Sequence, residues 1–122
     1  MDDSTFIKEY LDRYKKSLFE KDISKKIIQL KKILLEVKKN GNKVIIAGNG
    51  GSAAISSHVA VDFTKQGGIR SINFNETDLI TCFSNDYGYE KWVEKAVEFF
   101  GDEGDMLVII SSSGKSKNIV NG

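Results

Sequence analysis

The chain is 122 residues long, 40% hydrophobic and 29% charged, with a formal net charge of +1, which suits one globular domain and hardly leaves room for two. No apolar run approaches the roughly 18 residues of a membrane span, and so slight a net charge gives no argument for nucleic acid as a partner. The charge is uneven all the same: residues 1–40 carry 11 basic and 7 acidic side chains (net +4), the remainder 7 and 10 (net −3).

Two amphipathic helices come first. In one, Ile7, Leu11, Tyr14 and Leu18 recur at spacings of four, three and four, and Phe6 and Tyr10 broaden the stripe. In the other, Ile23, Ile27, Leu30, Leu34 and Val37 repeat that spacing behind a cap at Asp22 or Ser24, with lysines at 25, 26, 31, 32, 38 and 39 on the opposite face. Asn40-Gly41 closes it with the usual C-terminal glycine. Apolar seams of this kind pack against something, either the chain's own sheet or a second subunit. Residues 1–40 thus read as a helical pair for packing or oligomerisation, and residues 41–122 as an α/β domain.

That domain is organised around Val44-Ile45-Ile46-Ala47-Gly48-Asn49-Gly50-Gly51-Ser52-Ala53-Ala54. A short apolar run bounded by Lys43 and Gly48 reads as a buried parallel strand. The glycines let the chain turn sharply with bare N–H groups, and Ser52 is a favoured cap for the helix expected over 53–65. Strand, loop and helix start together make a ready anion site. Gln66-Gly67-Gly68 breaks that helix, Ile69–Phe74 reads as a second strand, and 77–83 as a helical turn ending at Ser84-Asn85-Asp86. A helix across about 88–100 shows Tyr89, Trp92, Val93, Ala96, Val97 and Phe100 on one face. Met106–Ile110 is the clearest strand, followed by Ser111-Ser112-Ser113-Gly114-Lys115-Ser116 and a short helix start.

Strands alternating with helices imply parallel βαβ units and a three-layer α/β/α sandwich. In a sheet of order 2-1-3, the loops after the first and third strands face one another across the ligand crevice. Serine hydroxyls, N–H groups and Lys115 suit a phosphate there. Gly114-Lys115-Ser116 imitates the end of a P-loop, but that motif needs glycine where Ile109 stands. Gly48-x-Gly50-x-x-Ala53 satisfies a dinucleotide fingerprint, yet Glu76 falls one position late for the ribose, and such a fold gives no reason for the serine loop. His58, the single histidine, lies four residues from Asp62 and shares its helix face. The pair reads either as a surface hydrogen bond, or as a metal ligand with a general base or two metal ligands. Cys82 alone excludes an internal disulfide, and with an acidic N-terminus in place of a signal peptide it agrees with a cytoplasmic protein.

Gly48-Asn49-Gly50-Gly51-Ser52-Ala53-Ala54, His58 with an acid at 62, Ser84-Asn85-Asp86-Tyr87-Gly88, Gly104-Asp105-Met106-Leu107 and Ile110–Asn118 stand in family order. The chain from about residue 40 onward resembles the SIS (sugar isomerase) domain family, closest to the bacterial phosphoheptose isomerases. The resemblance implies sheet order 2-1-3-4-5 and a homotetramer with sites between subunits. It implies a sugar phosphate held by Ser52, Ser111, Ser113 and Ser116, beside Gly50, Gly51 and Ser112, with Asn49, Asn85 and Asp86 lining the site. It further implies zinc at His58 and Asp62, with Asp62 as ligand or base, and a proton moved between C1 and C2 of sedoheptulose 7-phosphate through an enediolate. The product would feed heptose into lipopolysaccharide or capsule.

Two departures from the family pattern qualify that expectation. Asp62 stands where the family usually has glutamate. The family also continues for two more strands and helices, which supply a glutamine and a second histidine; these C-terminal strands are missing here, and the third strand is expected to show an open, apolar edge. The alternative is a non-catalytic sugar-phosphate sensor or adaptor, similar to the SIS protein that binds the bacterial replication initiator.

Overall fold

The computed structural model of the protein describes residues 2–122. They divide into two compact units, one up to Lys32 and the other from Ile33 onward. Among the described residues no helix is long and apolar enough to cross a membrane.

The first unit contains α1 (Asp3–Phe19) and the start of α2 (Ser24–Lys39). Asp2 caps α1, its carboxylate accepting from Thr5 N at 3.0 Å and Thr5 Oγ1 at 2.8 Å. Asp22 accepts from Ser24 N at 2.9 Å before α2. Along α1, Phe6, Tyr10 and Tyr14 form an aromatic ladder with centroids 6.3 and 5.1 Å apart. No described residue of α1 is buried, and Phe6, Ile7, Leu11, Leu18 and Phe19 are 55–80% exposed. The expected seam on α2 is divided as well: Leu34 and Val37 enter a core, while Ile23, Ile27 and Leu30 remain exposed.

The second unit begins with the end of α2. There Asn42 N reaches Val37 O at 3.0 Å and Gly41 N reaches Lys38 O at 3.1 Å, with Gly41 at φ +73°. That is a Schellman stop, as Asn40-Gly41 foretold. The chain continues through β1 (Val44–Gly48), α3 (Gly51–Lys65), β2 (Ser71–Ile72), α4 (Thr77–Tyr87), a 3₁₀ turn (Tyr89–Lys91), α5 (Trp92–Phe100), β3 (Met106–Ile110) and α6 (Lys117–Val120). The sheet is parallel in the expected order β2-β1-β3.

Central β1 is buried along its length, and its alternation builds the three layers. Ile45 and Ala47 pack with Phe74, Trp92, Val93, Ala96 and Ile119 on one face. Val44 and Ile46 pack with Leu34, Val37, Ala60 and Ile69 on the other. At the edge, β3 matches β1 residue for residue from Val44↔Met106 to Gly48↔Ile110. It is only half-buried, and Ile109 is 47% exposed, so the expected open apolar edge is there.

Four element boundaries differ from expectation, one of them the start of α3 at Gly51 rather than at 53. Only Ser71 and Ile72 of the 69–74 stretch pair with β1. Beyond them, Asn75 Nδ2 turns to α3 and donates to Ala53 O at 2.8 Å and Ser57 Oγ at 2.7 Å. Helix α4 runs through Ser84-Asn85-Asp86 and stops only at Gly88, φ +89°. The helix expected over 88–100 opens as a 3₁₀ turn before α5 begins at Trp92.

Opposite the ligand end of the sheet, Lys43 and Asp105 lock β1 to β3. Lys43 Nζ lies 2.5 Å from Asp105 Oδ2 and 2.6 Å from Asp102 Oδ2, while Lys43 N donates to Asp105 Oδ1 at 2.9 Å. Asp102 N donates to the same carboxylate at 2.8 Å. Burial pulls the Asp105 carboxyl upward, but bonds from the Lys43 side chain and backbone, Asp102 N and Asn42 prevail and hold it at about 2.

Candidate functional site

Gly48 ends β1 where no side chain fits: a Cβ there would lie 2.7 Å from the backbone C and O of Ser52. The chain folds back through Asn49 and Gly50, with Gly50 at φ +54°, a left-handed position suited to glycine. Gly50, not Ser52, occupies the cap of α3, and no side chain caps that helix. Ser52 is the second residue of the helix, its N–H bonded to Asn49 O at 2.9 Å. The hydroxyl expected to close the helix is therefore free to serve a ligand.

Across from it, the loop after β3 is shaped by its own serines. Ser111 Oγ accepts from Gly114 N at 3.1 Å, Ser113 Oγ accepts from Lys115 N at 3.2 Å, and Gly114 turns at φ +63°. Both hydroxyls keep their own O–H to donate. Between the two loops lies a cavity of about 40 Å³ lined by Asn49, Ser52, Ile110, Ser111, Ser112, Ser116 and Ile119. That volume is a few times what one water needs, the scale of a single tetrahedral anion. It sits at the carboxyl ends of the adjacent strands β1 and β3, where the strand order reverses.

Five of the expected binding residues thus meet in one cavity: Asn49, Ser52, Ser111, Ser112 and Ser116. Gly50, Gly51 and Ser113 shape the two loops without lining it. Asn85 and Asp86 lie in the last turn of α4, joined by an Asn85 Nδ2 to Asp86 Oδ1 bond of 2.9 Å, and do not line it either. The charge of Asp86 pushes the Cys82 thiol up, so this lone cysteine is a poor nucleophile.

Helix α3 separates binding from acid–base groups. Ser56 and Ala60 face the sheet, buried. His58 and Asp62 lie on the solvent side with Ile55 and Val61, their Nε2 and Oδ2 3.3 Å apart and their side chains 79% and 52% exposed. Neither lines the cavity, whose walls carry no acid or base.

Asn118 ends the Ile110–Asn118 motif, and the sequence marks no role for it. It is buried and exchanges two hydrogen bonds with Asn49: Asn49 Nδ2 donates to Asn118 Oδ1 at 2.9 Å, and Asn118 Nδ2 donates to Asn49 Oδ1 at 2.8 Å. Tyr89 donates its hydroxyl to the same Asn49 Oδ1 at 3.4 Å. An asparagine directly behind a serine loop was the available signal for the first; nothing in the sequence marked the second.

Comparison with known proteins shows the family of the chain. A family model described as SIS domain matches residues 6–122. The phosphoheptose isomerase of Aliarcobacter butzleri is 41% identical over 96 residues, covering 74% of this chain and 51% of that protein. That of Aneurinibacillus thermoaerophilus is 38% identical over 109 residues, 84% of this chain and 55% of that protein. A phosphoheptose isomerase structure from Francisella tularensis matches with a TM-score of 0.90 at 28% identity, covering 99% of this chain and 66% of that one. The chain spans about half the length of the curated relatives it matches.

Proposed function

Because the chain belongs to the SIS domain family, we propose that it binds a sugar phosphate by its phosphate group and serves a phosphoheptose-type isomerase, acting on sedoheptulose 7-phosphate in the cytoplasm toward surface polysaccharide. The observation that carries this reading is the cavity where Ser52, Ser111, Ser112 and Ser116 converge beside the start of α3. Hydroxyl donors and a helix N-terminus suit a dianion, and holding the remote phosphate fixes the reacting carbons. The names of the relatives support the heptose specificity.

Calorimetry tests it. Each hydroxyl bond to a charged phosphate contributes about 1.5–3 kcal/mol, so Ser116→Ala is expected to weaken sedoheptulose 7-phosphate binding about tenfold or more. Equal affinity for unphosphorylated sedoheptulose would sink the reading.

Proton transfer from C1 to C2 needs a base and a group that steadies the enediolate oxygen. Asp62 is the proposed base, with His58 beside it. Zinc enters the proposal only in part: it takes four ligands, and no group of three His, Cys, Asp or Glu able to hold a metal occurs among the described residues. His58 and Asp62 do not complete a zinc site, and the proton chemistry proposed here uses side chains alone. A second reading, a sensor or adaptor that binds sugar phosphate without turnover, is favoured by the absence of any acid or base in the cavity wall.

The proposal includes a homotetramer, supported by the bare apolar stripes of α1 and α2. Ile27, 56% exposed, is the residue to test, because Leu34 belongs to the core and its replacement would unfold the domain. Ile27→Asp is expected to shift sedimentation toward monomer while leaving the circular dichroism unchanged. A parent chain that sediments as a monomer at high concentration would rule the assembly out.

A further inference from the structure

Resting on the sugar-phosphate reading, we propose that Asn118 is a positioning residue, whose carboxamide sets the orientation of Asn49 and thereby the binding geometry of the cavity. Asn118 is only 2% exposed and stands on α6, behind the serine loop; Asn49 stands in the glycine loop. Each amide gives one N–H to the other and accepts one in return, at 2.9 and 2.8 Å. Rotating either amide by half a turn sets donor against donor and acceptor against acceptor, so both bonds fail together. The pair consequently fixes which end of Asn49 carries its remaining N–H, and it does so across the two loops that form the cavity.

The surroundings reinforce the clasp. Tyr89 Oη donates to the same Asn49 oxygen at 3.4 Å, a second contact on that carbonyl. The 3₁₀ turn carrying Tyr89 is tied to α6 by Lys117 Nζ to Glu90 Oε1 at 2.8 Å and Asn121 Nδ2 to Glu90 O at 3.0 Å. Ser52 and Asn49 on one wall therefore hold a constant spacing from Ser111, Ser112 and Ser116 on the other. A ligand meets a donor already aligned, with no rotamer entropy left to lose on binding.

The test is a double-mutant cycle with a spectroscopic control. Asn118→Leu removes both bonds, and Asn118→Asp keeps the shape but cannot return an N–H to Asn49. Each is expected to weaken sedoheptulose 7-phosphate and inorganic phosphate about tenfold, the worth of roughly one aligned hydrogen bond. In an Asn49→Ala background the same changes are expected to add nothing. The side-chain NH₂ signals of Asn49, read by nitrogen-15 NMR without ligand, should be well separated in the parent, collapse toward solvent-like values in Asn118→Leu, and shift without collapsing in Asn118→Asp, which still accepts from Asn49 Nδ2. Additive losses, or unchanged Asn49 signals, would overturn the positioning role and leave Asn118 as packing. A parent chain that binds neither probe would overturn the sugar-phosphate reading itself and this role with it, whereas binding in the parent with additive losses overturns the role alone.

Discussion

Replacing Asp105 by alanine is expected to destabilise the protein by about 2–3 kcal/mol: Asp102 still faces the Lys43 ammonium, but two backbone N–H groups and one half of the ion pair lose their acceptor. That is a large share of the roughly 5–15 kcal/mol that keeps a domain folded. The Asp105 side chain is 7% exposed and the Lys43 side chain 10%, so water has little access when Asp105 is removed, and only Asp102 stays beside Lys43 Nζ. The carboxylate also accepts the backbone N–H groups of Lys43 and Asp102, at 2.9 and 2.8 Å, which alanine would leave unanswered. Urea unfolding is the measurement. The double replacement Lys43→Met with Asp105→Leu is expected to lose clearly less than the single one, because it removes both charges from the interior. A single variant within about 0.5 kcal/mol of the parent, the range of ordinary surface substitutions, would show that the lock contributes nothing.

The same carboxyl sets an acid limit. Its folded value of about 2 lies below the ordinary 3.8, so its contribution is fully present above about pH 4 and is lost as pH falls through 2. The difference amounts to about 2 kcal/mol. Asp105→Asn should flatten the fall in stability across that window, and an unchanged acid slope would contradict the assignment. The consequence reaches the cavity, because this lock fixes one end of the β1–β3 ladder and the glycine and serine loops leave the other.

What could be read from the sequence was what local pattern encodes. Val44–Ala47 and Met106–Ile110 are apolar runs closed by glycine or serine, and the right-handed crossover rule then orders them 2-1-3. The helices of the first 40 residues announce themselves by spacing. Local pattern fails where a long-range bond overrides it. Ile69–Phe74 looks like a full strand, but Asn75 is claimed by the first turn of α3 and draws the chain off the sheet after Ile72. Ser84-Asn85-Asp86 has turn chemistry, yet α4 continues because Phe83 packs edge-to-face on Tyr87 and tilted against Phe99, with centroids 5.7 Å away in each case. Ser52 looks like a cap, but the approach of Gly48 to Ser52 forces the positive φ onto Gly50 and moves the helix start back.

The site follows the same division. Four serines and one asparagine of the cavity were legible because both loops follow apolar strands at a topological switch point. The Asn49–Asn118 pair was not, since it joins residues 69 apart and no periodicity encodes such a contact. His58 and Asp62 were correctly placed on one helix face by their spacing of four. Which way that face points depends on the core: Ser56 and Ala60 take the inward positions and leave the pair on the solvent side.

That outward placement leads to the largest expected effect. The 122-residue chain, assayed alone for aldoheptose phosphate, is expected to turn over at less than about one-hundredth the rate of the Aneurinibacillus thermoaerophilus phosphoheptose isomerase measured beside it. Moving a proton from C1 to C2 requires one group to take it and another to steady or protonate the oxygen, and each typically contributes 10²–10⁴-fold. The cavity wall of Asn49, Ser52, Ile110, Ser111, Ser112, Ser116 and Ile119 supplies neither. Asp62, the proposed base, is half exposed and 3.3 Å from His58 Nε2. His58 is the single histidine and is already engaged with it. Lengthening the base with Asp62→Glu is therefore expected to recover little, since reach is not the missing element. Phosphate binding should survive, because the groups proposed to carry it are independent of α3's outer face. Turnover comparable to the relative's, abolished by Asp62→Ala, would mean that one chain brings its acid, its base and its phosphate cradle together, and the separation read from α3 would not limit the chemistry.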